Sequence, residues 1–379
     1  MQQSTHFVNS LTCKERRILV SQCIANVENV KEWLPGWFIK KMLNGQSITP
    51  NFEEIYHDNM IEWLSWAFFT ASLDEVLQHS NHVKEIEWMV NEFESAFQIQ
   101  FPKGYNDQLQ SRRLNLDPIN AYHRPLLFYV CIQLMTLLYD TMVLQVRYGM
   151  KKYGPEAVHS NLLWNPVESS FSPCDQEKDC DERISYWFRD GDRNKKPIVF
   201  IHGIGAGLMC YMTFVHQLVQ LDAPIFCIEL PFVSMRCVED VPTMQEISND
   251  IQRMLHRHDC RNAVFVAHSL GTAVASCELY ISYYISRHFH WFQCALYVTP
   301  INQLHQNQPL MTTPMPHHTK IYLSEHDNIV NSSRVESYLK KHGLNSEMML
   351  GLDHASFLVS PIWQQRIMDT VSSYIDDAK

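Results

Sequence analysis

A serine in a tight sequence context is the strongest chemical signal in the chain. Ser269 is the centre of the pentad AHSLG (267–271), which follows an apolar run and precedes a helix-forming stretch. Small–x–Ser–x–Gly spacing is typical of a sharp strand-to-helix turn, which needs small residues because the two backbones nearly touch. Such a turn exposes the hydroxyl for attack on a carbonyl carbon. We predict Ser269 as a nucleophile supported by His268 and Gly271, with a simple helix-capping serine as the alternative.

A serine hydroxyl is a weak nucleophile until a base removes its proton, so this prediction requires a histidine. The chain has 19 histidines, and His354 lies in GLDHASFL, after the last apolar run and before the last helix-forming stretch. We predict His354 as the base. The paired histidines 256/258, 288/290 and 317/318 are interpreted as solvated side chains. None of these pairs has zinc-site spacing, so we expect no metal.

An acidic residue must orient the imidazole ring and stabilise its charged form. Asp327 lies in IYLSEHDNIV, after a short apolar run and between Ser269 and His354 in the chain. Serine, acid, histidine is a known chain order for such triads. The competitors are Glu325, which is closer to the strand end, and Asp353, which would have to fold back onto the adjoining ring. We predict Asp327 as the acid.

The tetrahedral intermediate of acyl transfer needs amide donors for its negative oxygen. The stretch VFIHGIGAG (199–207) ends a predicted strand in a glycine-rich loop, where the backbone can approach a substrate closely. We predict the amides of Ile204 and Leu270 as the donors. The supporting loop residues are His202, Gly203 and Gly205. A dinucleotide-binding loop is the alternative, but GIGAG lacks the spacing of that fingerprint.

The chain changes character near residue 155. Before that point the signals are helical, including the capping-box spacing of Thr12 with Glu15 and Ser72 with Glu75. After it, short apolar runs alternate with stretches of helix length, which predicts a mostly parallel sheet covered on both faces. The sequence therefore predicts a helical N-terminal region (1–155) and an α/β domain (156–379).

The four motifs together resemble the α/β-hydrolase superfamily over about 160–379. The resemblance implies an α/β-hydrolase fold, a Ser269–His354–Asp327 triad, a small-molecule ester substrate and no cofactor. The same triad would also serve a thioesterase or an acyltransferase, and a non-catalytic ligand-binding protein of this fold is the alternative from another class. The N-terminal half is similar to a region of certain fungal serine hydrolases of this superfamily, in LPGWF (34–38), NMIEWLSWAFF (59–69) and RPLL (124–127).

The sequence predicts that the N-terminal region covers the site, because the chain has no room for the cap that many superfamily members carry. Only about 20 residues separate Pro300 from Lys320, where many superfamily members insert a cap. We therefore expect the helical N-terminal region to act as a lid. Its tryptophans favour a lipophilic pocket mouth and an apolar substrate; they are Trp33, Trp37, Trp63, Trp66 and Trp88.

The segment 125–146 is apolar on all sides over its first half. Asp140 interrupts it, and the uninterrupted stretch is shorter than the roughly 20 residues that span a bilayer. We expect a buried core helix. Contact with a lipid or membrane surface and a true span are the alternatives.

Composition excludes other classes. The chain has 379 residues, 46% of them hydrophobic, and a net charge of −10, which excludes a disordered protein and disfavours nucleic-acid binding. Its 11 cysteines are odd in number, and only Cys174 and Cys180 lie in a polar loop where they could pair. Residues 1–17 contain no apolar signal core. We expect a cytoplasmic protein, with membrane association as the alternative, and leave the oligomeric state open.

Overall fold

The structure is a computed structural model. It describes residues 11–27, 29–42, 47–113, 116–117, 124–155, 183–236, 238, 241–278, 296–301, 319–341 and 343–376. Cys174 and Cys180, the histidines 288, 290, 317 and 318, and most of the segment between Pro300 and Lys320 lie outside these ranges.

The chain divides into two compact units, residues 1–122 and 123–379. This boundary lies about 30 residues before the one predicted at 155. The reason is that residues after 138 pack on the large sheet: strand β4 (Lys151–Tyr153) pairs with its edge, and Tyr139 and Leu144 are buried in its core. A purely helical reading of the sequence missed this edge strand because three residues are too few to show alternation.

The first unit is mostly helical but contains a small antiparallel sheet of order β2–β1–β3. Its helices are α1 (Cys13–Asn26), α2 (Val30–Trp33), α3 (His57–Phe69), α4 (Leu73–Leu77) and α5 (Ser80–Phe97), and its strands are β1 (Phe38–Lys41), β2 (Ser47–Ile48) and β3 (Leu109–Ser111). Two short 3₁₀ helices cover Leu34–Trp37 and Phe52–Glu54. The prediction of an all-helical region is therefore wrong for these three strands, which are too short for a periodic signal.

The tryptophans of the first unit pack on one another. The rings of Trp33 and Trp63 have centroids 5.7 Å apart, and those of Trp37 and Trp66 are 5.9 Å apart. Trp63 is buried with Leu64 and the other core residues of this unit. These rings stabilise the unit itself, and its role as a lid stays a prediction.

The second unit is built on an eight-stranded sheet of order β11–β10–β9–β8–β6–β7–β5–β4. After β4 its strands are β5 (Ser185–Arg189), β6 (Ile198–Ile201), β7 (Ile225–Glu229), β8 (Ala263–His268), β9 (Leu296–Ile301), β10 (Lys320–Ser324) and β11 (Asn345–Met349). β5 and β9 run against the other six strands. The sheet thus agrees with the predicted mostly parallel arrangement, except that β5 and β9 are antiparallel to their neighbours.

Helices flank the sheet of the second unit. They are α6 (Leu126–Leu138), which continues as a π-helix (Tyr139–Arg147), α7 (Met212–Gln220), α8 (Met244–Arg257), α9 (Leu270–Glu278), α10 (Ser332–Lys341) and α11 (Pro361–Asp376). Short 3₁₀ helices cover Gly207–Tyr211, Pro231–Val233 and Ser356–Val359.

The two faces of the sheet are covered by different helices. Val199 and Ile201 of β6 pack with the core that contains α8, while Ile198 and Phe200 pack with the core that contains α7 and α11. Alternate residues of a strand point to opposite faces, so a strand covered on both sides is apolar throughout. This explains why β6 and β8 are continuous apolar runs in the sequence.

The connections reverse direction at β6. The chain passes from β6 through α7 to β7 on one side, and from β7 through α8 to β8 on the other side of β6. Helix α7, which follows β6, and helix α9, which follows the neighbouring strand β8, pack on opposite faces of the sheet, so the chain leaves the carboxyl ends of β6 and β8 in opposite directions. Ligands of open α/β sheets bind at such a position.

The apolar segment near the start of this unit is not a core helix. Leu126–Arg147 is a continuous helix of 22 residues; its most apolar window of 18 residues has a mean hydropathy of 1.7, and only 11% of that window is buried. By length and composition it could cross a membrane. The predicted burial is wrong because only one side of its C-terminal half packs on the sheet, through Tyr139 and Leu144. Cys131 on this helix is exposed as well.

Candidate active site

The turn that carries Ser269 is strained and closely packed. Ser269 joins β8 to α9 with φ = 53°, in the left-handed region that residues with a side chain rarely adopt. A Cβ atom on Gly203 would lie 2.5 Å from Ser269 Cβ, and a Cβ atom on Gly271 would lie 2.5 Å from the carbonyl oxygen of Ile201. Both glycines are therefore required for the end of β6 and the start of α9 to approach the serine, as the pentad predicts.

The structure brings the three predicted residues together in hydrogen-bonding order. His354 Nε2 lies 3.1 Å from Ser269 Oγ, and His354 Nδ1 lies 2.9 Å from Asp327 Oδ2. Ser269 follows β8, Asp327 follows β10 and His354 follows β11, so all three project from the carboxyl ends of their strands. The sheet edge thus aligns a hydroxyl, an imidazole and a carboxylate in hydrogen-bonding order.

Asp327 is held by more than the histidine. Its Oδ1 accepts hydrogen bonds from the amides of Ile329 and Val330, at 2.9 and 3.0 Å. Burial alone would raise the pKa of Asp327, but the hydrogen bonds from His354 and the two amides hold that pKa below its usual value. The carboxylate is therefore charged at neutral pH and aimed at the ring.

The two competing acids bond elsewhere. Glu325 Oε2 accepts from the amide of Gly351 at 2.8 Å, and Asp353 accepts from the hydroxyl of Ser356. Neither bonds to His354. Of the three candidates, Asp327 is the one placed to orient the ring.

A second histidine, His268, lies next to Ser269 and hydrogen-bonds to the backbone of His354. His268 is fully buried, and burial lowers its pKa to about 3, so the ring is neutral. Its Nε2 lies 3.2 Å from the carbonyl oxygen of His354, which can only accept. Its Nδ1 lies 2.8 Å from the hydroxyl of Tyr211, and that hydroxyl accepts from the amide of Gly203 at 3.0 Å. A continuous chain therefore links the glycine loop to the backbone of His354.

Tyr211 is the member of this chain that sequence reasoning missed. It ends the 3₁₀ helix after the glycine loop, where no motif marks it. The only sequence signal is a tyrosine within ten residues of the HGIG segment. Its hydroxyl is buried between Gly203 and His268, and burial raises the pKa of Tyr211 above its usual value.

His202 fixes the glycine loop. Its Nδ1 donates to the carbonyl of Gly203 at 2.7 Å, and its Nε2 accepts from the amide of Leu230 at 3.0 Å. Burial lowers the pKa of His202, which keeps the ring in this neutral form. Gly205 is held too, because its amide donates to the carbonyl of Val233 at 3.1 Å. Both residues hold the loop through hydrogen bonds, and neither bonds to Ser269.

The two predicted amide donors flank the serine. Leu270 is the first residue of α9, and the first amides of a helix have no partner within it. Ile204 directly follows Gly203, the residue whose Cα packs against Ser269. Both amides therefore belong to segments that contact the serine, and the helix N-terminus adds a partial positive charge there.

A buried ionic cluster lies beside this edge and was not predicted from the sequence. Glu229, the last residue of β7, bonds to Lys152 Nζ at 2.9 Å, to Arg236 Nη2 at 3.2 Å and to the indole of Trp187 at 3.0 Å. Burial alone would raise the pKa of Glu229, but Lys152 and Arg236 keep it below its usual value. The cluster ties β4, β5 and β7 together.

Metal ligation has no support within the described ranges, where no three His, Cys, Asp or Glu side chains converge on a point. His258, interpreted above as solvated, instead packs on the ring of Phe188 with centroids 4.0 Å apart.

No family model matches the chain, and no curated protein matches it. Among solved structures, a CIB-like hydrolase from Thermoplasma acidophilum is 12% identical over 50% of this chain and 93% of that chain, with a TM-score of 0.34. A carboxylesterase from Nitrososphaera gargenis is 14% identical over 51% and 96%, with a TM-score of 0.33. A hydrolase from Pseudomonas aeruginosa is 16% identical over 50% and 94%, with a TM-score of 0.33.

Proposed function

We propose that the protein is a serine hydrolase of the α/β-hydrolase type that cleaves a carboxylic ester. The observation that carries this proposal is the hydrogen-bonded series Asp327–His354–Ser269, with distances of 2.9 and 3.1 Å, at a strained turn. A structural serine would not need a left-handed backbone and a histidine at its oxygen. Strain of this kind persists where the surroundings hold it for a function.

In the first half of the reaction, Ser269 Oγ attacks the ester carbonyl carbon while His354 Nε2 takes its proton. The amides of Ile204 and Leu270 donate to the negative oxygen of the tetrahedral intermediate. Asp327 stabilises the imidazolium that forms. The intermediate then collapses, the C–O bond to the alcohol breaks, and the alcohol leaves with the proton from His354.

In the second half, water replaces the alcohol. His354 removes a proton from water, whose oxygen attacks the acyl carbon, and the same amides stabilise the second intermediate. The bond to Ser269 breaks, and the serine recovers its proton from His354. The products are one carboxylic acid and one alcohol, and the enzyme is unchanged.

Labelling with a fluorophosphonate and hydrolysis of p-nitrophenyl esters of increasing chain length test the proposal. The wild type should be labelled and active, Ser269→Ala should be neither, and Ser337→Ala, a helix-surface serine bonded to its own helix, should behave as the wild type. Labelling of Ser269→Ala, or a wild type inert to every ester, would overturn the proposal; the inert wild type would favour the non-catalytic alternative. Products formed with thioesters and competing alcohols distinguish a thioesterase and an acyltransferase.

A further inference from the structure

The first ten residues of α6 are mostly exposed, with Tyr129 and Ile132 partly covered. Leu126 is 78% exposed and Leu127 is 71% exposed, and the first buried residue of the helix is Thr136. Consecutive residues of a helix point in different directions, so exposure of Leu126, Leu127 and Phe128 leaves the tip uncovered on several sides. Residues 126–135 carry no charged side chain. Such a surface is unstable in water.

The free tip projects past the catalytic edge of the sheet. The C-terminal end of the helix lies near the amino edge of the sheet, because β4 begins there at Lys151. Lys151 pairs with Phe188 of β5, and Phe188 pairs with Phe226 near the amino end of β7. Further back along the helix, Asp140 lies 3.9 Å from Arg236, which bonds to Glu229 at the carboxyl end of β7. The helix therefore crosses the sheet from its amino edge to its carboxyl edge, and residues before Thr136 extend beyond the edge that carries Ser269.

The same edge is lined by other exposed apolar side chains. Among the side chains described in this unit, each large exposed apolar residue outside Leu126–Arg147 lies between the carboxyl end of a strand and the first turn of the next helix. They include Ile204, Met212, Met235, Ile329, Val359 and Ile362. The described loops at the opposite edge have none. We call these six residues the apolar rim.

We infer that the tip of α6 and the apolar rim dock the protein on a lipid bilayer, with the catalytic edge facing the membrane. A tip that is apolar on several sides fits hydrocarbon better than a protein partner, which would cover one stripe of the helix. Arg124 directly precedes the tip and must stay at the headgroups, so the ten residues, about 15 Å long, lie along the boundary between headgroups and hydrocarbon of one leaflet and do not cross it. The net charge of −10 makes attraction to anionic headgroups a poor explanation of binding, which leaves the apolar contact.

The substrate class follows, and this step rests on the proposed function. Ser269 lies at the edge that faces the bilayer, so an ester dissolved in one leaflet reaches it without crossing water. The substrate is then an ester of a membrane-resident lipid. A soluble short-chain ester would bypass the docking surface and still reach the triad.

Flotation of the full chain with phosphatidylcholine vesicles tests the surface. We expect the wild type and Ser269→Ala to float. Leu127→Glu combined with Leu134→Glu should lower the vesicle partition coefficient by at least about tenfold, because each removes a buried leucine from hydrocarbon. Val359→Glu with Ile362→Glu should lower it as well. Ile48→Glu with Leu77→Glu, two exposed apolar residues of the first unit, is the matched control and should float as the wild type.

Activity assays separate the surface from the proposed function. The Leu127→Glu and Leu134→Glu variant should lose hydrolysis of a fluorogenic diacylglycerol in the vesicles and keep that of p-nitrophenyl acetate in solution. A wild type that cleaves soluble esters but does not float overturns the docking surface alone. A wild type that floats through the tip but cleaves no ester overturns the proposed function alone. An oligomer that dissociates in the tip variant, without vesicle binding, assigns the tip to a second copy and overturns the bilayer.

Discussion

His268 donates from Nε2 to the backbone carbonyl of His354, across 3.2 Å. The residue that precedes Ser269 therefore fixes the loop that carries His354. Because the same ring accepts from Tyr211, the serine turn, the glycine loop and the histidine loop form one connected group. The distance between the His354 ring and Ser269 Oγ depends on this connection as well as on the strands.

His268 is therefore expected to act as a positioning residue. His268→Phe keeps the ring volume but removes both hydrogen bonds, so kcat should fall by up to about a hundredfold with little change in KM, since small misplacements of catalytic groups have effects of that size. His268→Gln can still donate to the carbonyl of His354 and should recover most of the loss. Steady-state kinetics and the rate of fluorophosphonate labelling measure this. Equal kinetics in the Phe and Gln variants would contradict the positioning role.

Asp327→Asn should lower kcat by about 10⁴-fold, as in other triads, because the ring loses the carboxylate that sets its tautomer and stabilises its charge. Glu325→Gln is the matched control, since Glu325 lies two residues away and bonds to Gly351. It should keep near wild-type activity. If Glu325→Gln were the inactive variant, the assignment of the acid would be wrong.

Gly271→Ala should destabilise the second unit and abolish activity. The new methyl group would lie 2.5 Å from the carbonyl oxygen of Ile201, and this backbone atom can move only if β6 and α9 separate. Overpacking of this kind costs about 1–3 kcal/mol. Gly36→Ala, where the added Cβ meets nothing within 4 Å, is the control. Urea unfolding midpoints compare the two, and an unchanged midpoint for Gly271→Ala would contradict the close approach.

Stability should fall as the pH drops below about 6.5, the ordinary pKa of histidine. Burial lowers the pKa of His268 to about 3 and that of His258 to about 4, so both stay neutral in the folded protein after the unfolded chain has bound their protons. The unfolded state then binds more protons, and the fully buried His268 costs about 2 kcal/mol of stability at pH 5. His258 is only partly buried and should contribute less.

The pH effect is measured by urea unfolding at pH 8 and pH 5, with the wild type and His268→Gln compared. The variant should lose less stability between the two pH values, because it no longer carries the buried imidazole. A pH dependence identical to that of the wild type would contradict the neutral, buried state of His268.

The features that could be predicted from the sequence are those that local patterns of residues determine. The pentad at Ser269 predicts its own turn because sterics alone demand glycine where two backbones meet. The positions of Asp327 and His354 follow from strand ends, since parallel strands deliver their carboxyl ends to one edge. The chemical roles of these residues stay predictions until the variants are tested.

The features that could not be predicted depend on contacts between residues that are far apart in the sequence. Tyr211 and His268 form a pair through the third dimension, and neither has a local pattern that requires the other. The helix from Leu126 was expected in a core because an apolar segment is usually buried, yet the sheet covers only one side of its C-terminal half. The direction of β9 is likewise set by its pairing with β8 and β10, which its own residues do not encode.

Ser269 and His354 follow strands that are not neighbours, because β9 and β10 separate β8 from β11. β11 is the outermost strand on its side, and edge elements open more readily than central ones. If β11 frayed, the His354 ring would move away from Ser269, while the turn at Ser269, which follows a central strand, would stay intact. The proposed activity should thus be limited by the stability of β11 at the edge of the sheet, and it should be lost before the second unit unfolds.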